Sequence, residues 1–458
     1  MEKAQRRPTQ DFAQRMDRAL GTDGVLERMW CGMNPPAAAR TKSSAPLVDG
    51  DDRTRWLGFE DCDPVREWLD ERIPAFSEGE SPRQVGAADV TVMWSMCTVF
   101  ANTDHHLGGG YARSTLARFL DDVVKPALHG NYDSRIGRDL YAVAARLCDL
   151  SGFMCFDSAR QGLGQRYFRQ ALRLAKASGN VALGAHILTD MSMQAHYLGR
   201  APEAIRFGSA AARAAERSGS PSTTARCNAL LARAHALGGD ALASAQAMAE
   251  AERQLNRARP GDEPDWIRFF TDRQLSAEFM YAAHDAGQAP EVRRWAPMVL
   301  SDSAGMERRQ VLAASTLATS FVPRADGGSD GAPVDVEQAC RVLRDTMVAA
   351  RGLTSARGIE AINGVRRQAE REEEGNGVEH DGDRGVGRVQ RAAGRRERLT
   401  VVEPRLVRRR VGGGHAEIVA GRGVRERQAS ERVTRYPGDA GGVGHSLAHA
   451  EIPAETML

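Results

Sequence analysis

Lysine is nearly absent from this chain of 458 residues. It occurs only at Lys3, Lys42, Lys125 and Lys176, so arginine carries almost all the positive charge. Such usage follows a GC-rich coding sequence and has no functional meaning by itself. Neither sign of charge is in excess: 62 basic side chains face 60 acidic ones. The net charge of +2 sets up no global field toward nucleic acid or a membrane. Cysteine is sparse, and the seven residues Cys31, Cys62, Cys97, Cys148, Cys155, Cys227 and Cys340 form no CxxC. An odd count without that spacing argues against a disulfide framework or a zinc ribbon. Reduced thiols in a cytoplasmic setting fit better. No apolar run reaches about 18 residues, the length that would suggest a membrane span. The N-terminus also lacks the apolar stretch of a signal peptide. GxSxG, HExxH and Walker A patterns are missing, so neither an enzyme nor a cofactor is expected.

What the chain does have is alanine and helical periodicity. Alanine has the best helix propensity and lets helix axes approach closely. A first amphipathic helix is expected over residues 10–20, with Thr9 as N-cap and Gly21 as stop. Residues 31–80 have the Pro, Ser and Asp content of a linker, with a short helix at Pro64–Arg72. Periodicity then runs from Ser81 to about residue 365 and contains a repeat. Ser178-Gly179 and Ser218-Gly219 stand forty residues apart, as do Gly199 and Gly239. Small residues keep step: Ser192, Ala204 and Ala211 around Gly199, and Ala232, Ser244 and Ala251 around Gly239. An earlier unit fits with Gly152 as its turn glycine and Gly164 and Ala171 as its small residues, if its turn is seven residues longer. A looser fourth unit surrounds Gly287, with Met280 and Val292 in the matching places.

Antiparallel helices joined by a tight turn need small side chains where their axes cross. Larger residues such as Leu188, Ile205 and Phe207 then fill the layer between pairs. Each pair buries too little surface alone, so the units must stack. The expected fold is therefore all-α, a tetratricopeptide-like helical-hairpin solenoid over residues 81–367. Its units are longer than the usual 34 or so residues. The first helix of each pair lines the concave groove, where polar residues can grip a peptide or protein. His196, Asn228, His235 and Arg273 are the candidates for that groove.

The stretch "DHHLGGGYAR" at 104–113 poses a chemical question. Asp104, His105 and His106 could ligate a metal, and Gly108-Gly109-Gly110 with Arg113 could cradle a phosphate. Adjacent histidines diverge on a helix, and no strand precedes the glycines. The spacing thus favours an interhelical turn, with glycine supplying positive φ and Asp104 or Arg113 tying the loop. Cys148 and Cys155 have apolar neighbours and read as buried, inert thiols. Trp94, Trp266 and Trp295 read as core. Beyond Arg371 the sole aromatic is Tyr436, and glycine and arginine dominate. The segment 368–458 is expected to be a disordered tail. An arginine-rich arm for nucleic acid and a frameshift product are the other readings.

Residues 1–30 resemble the closing part of a lambda-repressor-type (Cro/XRE) helix-turn-helix domain. Glu2-Lys3-Ala4, the basic loop Arg6-Arg7-Pro8-Thr9 and the helix Asp11–Leu20 before Gly21 carry the likeness. "DHHLGGGYAR", "LHGNYDSRIGRDLYAVAARL" (128–147), "FRQALRLAKASGN" (168–180), "LTDMSMQAHYLGR" (188–200) and "CRVLRDTMVAARG" (340–352) resemble the regulatory region of the same proteins of high-GC Gram-positive bacteria. The resemblance implies a transcriptional regulator whose repeats sense a peptide, small ligand or protein partner, through docking or dimerisation. The two base-reading helices would precede Met1, so the family's N-terminus is expected to be truncated here. DNA is then a partner only of a longer chain. Lys3, Arg6 and Arg7 remain as weak phosphate contacts, which carry no sequence information directly. The alternative is a stand-alone tetratricopeptide adaptor that never touches DNA.

Overall fold

The computed structural model describes residues 56, 58, 63–69, 83–259, 261–322 and 333–379. The helix expected at 10–20, the basic residues Lys3, Arg6 and Arg7, most of the linker and the tail beyond 379 lie outside the described residues.

Helical periodicity becomes helix throughout the described chain, which contains no strand. A short α1 (Pro64–Leu69) precedes α2 (Ala87–Leu107) and α3 (Gly109–Phe119). A single π turn, Leu120–Val124, continues α3 into α4 (Lys125–Leu128). Then come α5 (Ser134–Asp157), α6 (Gln161–Ser178), α7 (Val181–Tyr197), α8 (Ala201–Glu216), α9 (Pro221–Leu237) and α10 (Ala241–Leu255). A 3-10 turn at Asp265–Ile267 leads to α11 (Asp272–Asp285), α12 (Ala289–Asp302), α13 (Glu307–Thr319), α14 (Val336–Ala350) and α15 (Ala356–Glu379). The last helix runs past the boundary expected at 367. No helix among the described residues is long and apolar enough to cross a membrane.

Five hairpins result: α5/α6, α7/α8, α9/α10, α11/α12 and α13/α14, with α15 packed on α13. Each first helix also packs on the next first helix, so the pairs stack into a solenoid. The turns follow a strict beat. Ala159, Gly179, Gly199, Gly219 and Gly239 all have positive φ, between 62° and 80°, and lie twenty residues apart. Several close their helix with the same pair of backbone bonds. Arg160 N donates to Cys155 O at 2.8 Å, Arg200 N to Ala195 O at 2.9 Å and Asp240 N to His235 O at 3.0 Å. This is the six-to-one bond of a left-handed helix stop, in which glycine avoids a β-carbon clash.

The beat corrects the reading of the first unit. Gly152 is not a turn residue; it lies inside α5, and the turn is made by Ala159, at φ 62°. No seven-residue extension exists. Gly152 takes instead the small-residue place held by Ser192 and Ala232. A β-carbon there would lie 2.6 Å from Cδ1 of Phe168 on α6, whose side chain is fully buried. In the next unit the Ser192 hydroxyl fills the crossing by donating to Ala204 O on α8 at 2.7 Å. Leu188 and Phe207 are fully buried between layers as expected, and Ile205 is half-buried.

The core is not continuous. One large cluster runs from Val65 to Ala234. Three smaller ones follow, around Leu230 and Met248, around Met280 and Val299, and around Ala318 and Val365. Upstream, Trp68 of α1 lies over α7 at Gly184, where a β-carbon would fall 2.0 Å from its ring. Glu67 accepts twice from Arg173 at 3.1 Å, and Asp63 pairs with Arg206 at 2.8 Å. This part of the expected linker is therefore docked on the hairpins.

Candidate functional site

The forty-residue register places Arg146 on α5, His186 on α7 and Arg226 on α9 at equivalent positions. All three face a common interior and are buried, as are Asp149 and Asp190. Arg146 pairs with Asp149, three residues on along α5, and Arg226 of α9 pairs with Asp190 of α7. His186 sits between them. Its Nε2 lies 3.5 Å from Asp149 Oδ2 and 3.5 Å from Asp190 Oδ2. Its Nδ1 lies 3.2 Å from Arg226 Nη1. Arg146 Nη1 lies 3.3 Å from Nε2, so a guanidinium, which only donates, stands beside each ring nitrogen, and a neutral ring can accept from one of them. Trp266, from the connection between α10 and α11, covers the ring at a centroid distance of 5.0 Å. Trp266 is thus partly core and partly the roof of this cluster.

Burial pushes the His186 pKa well below its ordinary value, helped by the Arg226 and Arg146 charges and only partly opposed by Asp190. Burial likewise raises Asp149, against the pull of Arg146 and Arg226. The consequence for stability has a definite sign. As pH falls through about 6.5, the unfolded chain gains a proton on this histidine that the folded chain refuses. Folding should therefore weaken by up to about 1.4 kcal/mol per pH unit below that point. Asp149 acts in the opposite direction, but a His186→Gln chain retains it. Urea midpoints of the two chains between pH 7 and 5 should show a steeper decline in the parent; parallel declines would refute this account of His186.

Asp149, His186 and Asp190 offer ligand atoms within 4.8 Å of one another, close enough for a metal ion. The surroundings do not suit one. Arg146 Nη1 bonds Asp149 and lies 3.3 Å from His186 Nε2, and Arg226 holds the other carboxylate. A divalent ion would meet two guanidiniums inside the low-dielectric interior, where like charges repel strongly. The two carboxylates already balance those guanidiniums without an ion.

A second cluster lies two to three turns further along α7 and α9. His196 at the end of α7 contacts Asp285 of α11, Nε2 to Oδ2 at 2.9 Å. Arg233 of α9 reaches Asp285 at 2.9 Å and Glu278 at 3.3 Å. Burial alone would raise the Asp285 pKa, but Arg233 and His196 hold it well below the usual carboxylate range.

Of the four groove candidates, only His196 joins this interior. Asn228 is buried, and its amide donates to Thr224 O of its own helix at 2.9 Å. His235 is half-buried in the last turn of α9, beside the hairpin turn. Arg273 is on the first turn of α11 with a side chain 72% exposed, 3.7 Å from Asp302. The clusters missed from the sequence had one available signal. Arg146, His186, Arg226 and Trp266 are forty residues apart, the same step as the turn glycines.

The Asp104-His105-His106 run forms no convergent cage. Asp104 pairs with Arg308 at 2.7 Å, His105 meets the Phe269 ring at 6.3 Å, and His106 faces Glu307 at 3.8 Å. Gly108 makes the interhelical turn with φ +81°. Cys148 and Cys155 are buried, and burial raises both thiols, Cys155 to about 12. Cys97 and Cys227 are buried too, pushed up to about 12 and about 11. The chain matches no family model, no curated protein and no solved structure in the comparisons made.

Proposed function

We propose that this chain is the regulatory, helical-repeat part of a transcriptional regulator of the lambda-repressor-like type. In this reading its tetratricopeptide-like first helices recognise a peptide, small ligand or protein partner. The carrying observation is the in-register set Arg146, His186 and Arg226 on successive first helices, closed by Asp149 and Asp190. Buried ion pairs add little net stability over apolar packing, and a stack of alanine-rich hairpins does not need them to hold together. In the closed chain these groups are buried and paired with one another, so in this reading a partner meets them only once the inner face is exposed. Binding there would bias DNA reading only through a difference in affinity between two conformations.

The test pans the full chain against a random linear-peptide library, then measures duplex DNA binding by fluorescence anisotropy with and without the enriched peptide. We expect one enriched motif, whose affinity falls at least about tenfold in an Asp190→Leu/Arg226→Met chain, which loses the charged contact without stranding a buried charge. We also expect weak, salt-sensitive, sequence-indifferent DNA binding that the peptide alters. A peptide that leaves DNA binding untouched would support the adaptor reading, and no enriched motif would sink peptide recognition in both readings.

A further inference from the structure

We propose that the solenoid is closed on itself by a polar seam, and that this seam is the joint at which it opens to expose its inner face. The seam joins the turn between α2 and α3 and the end of α5 to α13 and the loop before α15. These parts are some 200 residues apart in sequence, yet they bond as closely as neighbours in a helix. Thr354 N donates to Leu107 O at 2.8 Å, and Gly110 N donates back to Thr354 O at 3.1 Å. The fully buried Asp157 gathers the rest. Its Oδ1 accepts from Ser355 Oγ and from Arg357 Nε, each at 2.8 Å, and its Oδ2 accepts from Gly109 N at 2.9 Å. Arg308 bridges Asp104 at 2.7 Å and Asp157 at 3.5 Å. Arg308 and Arg357 both lie over the Phe153 ring, at 5.2 and 5.0 Å.

Two members of the glycine triplet, Gly108 and Gly110, are explained by this contact, and Gly109 by the approach of α3 to α5. Only Gly108 has positive φ. A β-carbon on Gly109 would lie 2.6 Å from Met154 O, and one on Gly110 would lie 2.9 Å from Thr354 O. Gly108 and Gly110 let the two backbones of the seam touch, and Gly109 lets α3 start against α5.

The seam differs from the other joints in what it lacks. Consecutive hairpins share buried ion pairs too, but they also meet through alanine, leucine and phenylalanine. No apolar cluster of the described residues spans the seam: the first ends at Ala234, and the last holds Ala318, Val322, Ala339, Val365 and Ala369. Parting an apolar joint exposes surface that water solvates poorly. Parting carboxylates from guanidiniums returns both to water, which offsets most of the lost attraction. The seam is therefore the joint that yields first, and it can yield without unfolding a hairpin. This holds whatever the inner face binds.

Two variants of the full chain test it. Arg357→Gln removes one cation from Asp157. Gly110→Ala adds a methyl whose near neighbours all belong to Thr354, while alanine is the better residue for α3 itself. Hydrogen exchange should speed at the Gly110 and Thr354 amides, whose bonds cross the seam, by roughly tenfold or more in both variants. The amides of α7 and α9 should keep parental rates, and the radius of gyration in solution scattering should rise. Unchanged exchange at these two seam amides in both variants would overturn the proposal. So would equal acceleration across α5 to α9, which would mean that the seam opens only with global unfolding.

Discussion

Exchanging Asp190 for alanine is expected to remove about 3–5 kcal/mol of stability, the usual result of stranding one member of a buried ion pair. Arg226 would be left 5% exposed, against a neutral imidazole and with no carboxylate of its own. The loss should appear as a lower urea midpoint and as faster hydrogen exchange throughout α7 and α9. Removing both charges gives a different outcome. An Asp190→Leu/Arg226→Met chain should recover most of the loss, because an apolar pair of similar volume leaves no buried charge unpaired. That contrast separates a charge effect from a packing effect. If alanine at 190 cost less than about 1 kcal/mol, Arg226 would have to be reaching water.

Leucine in place of Gly152 is expected to be about as damaging, at about 3 kcal/mol or more, for a steric reason. Phe168 is fully enclosed and cannot swing from a β-carbon 2.6 Å away. The alanine variant makes the argument sharp. At an ordinary helix interior, Gly→Ala should stabilise by roughly 1 kcal/mol. Here it should destabilise, and Phe168→Leu in the same chain should return part of the loss through coupling. Thermal denaturation of the two single variants and the double variant decides it. A Gly152→Ala chain more stable than its parent would show that α5 and α6 do not approach so closely.

Gly152 also shows how the sequence can mislead. Glycine serves two purposes, turning a chain and letting helices touch, and the letter does not say which. The spacing did say so. Seven residues before Gly199 stands Ser192, seven before Gly239 stands Ala232, and seven before Ala159 stands Gly152. The true turn was hidden because alanine occupies the left-handed position there. The hairpin architecture was legible because small residues and turn residues repeat together. The interior clusters were not. An arginine or histidine on a helix reads as solvent-facing unless its partner is known, and those partners sit on neighbouring hairpins 36 to 40 residues away. His196 was singled out for its place on a first helix, as a groove residue for a partner, and not as half of an ion pair with Asp285. Asn228 was expected in the groove, and nothing in its spacing signalled that its amide would turn back to Thr224. The "DHHLGGGYAR" run read correctly as a turn, but the reason for Gly108 and Gly110 lies across the seam and that for Gly109 on α5, in residues no local pattern connects.

The division of the apolar core into four clusters bears on how the chain would come apart. Heat would not melt such a molecule in one piece. The hairpins from α11 onward rest on small clusters and on each other, whereas α5 to α9 share the large one. A scan would record the far end loosening first and the central pairs last. One melting temperature would then average over parts that leave the native state separately.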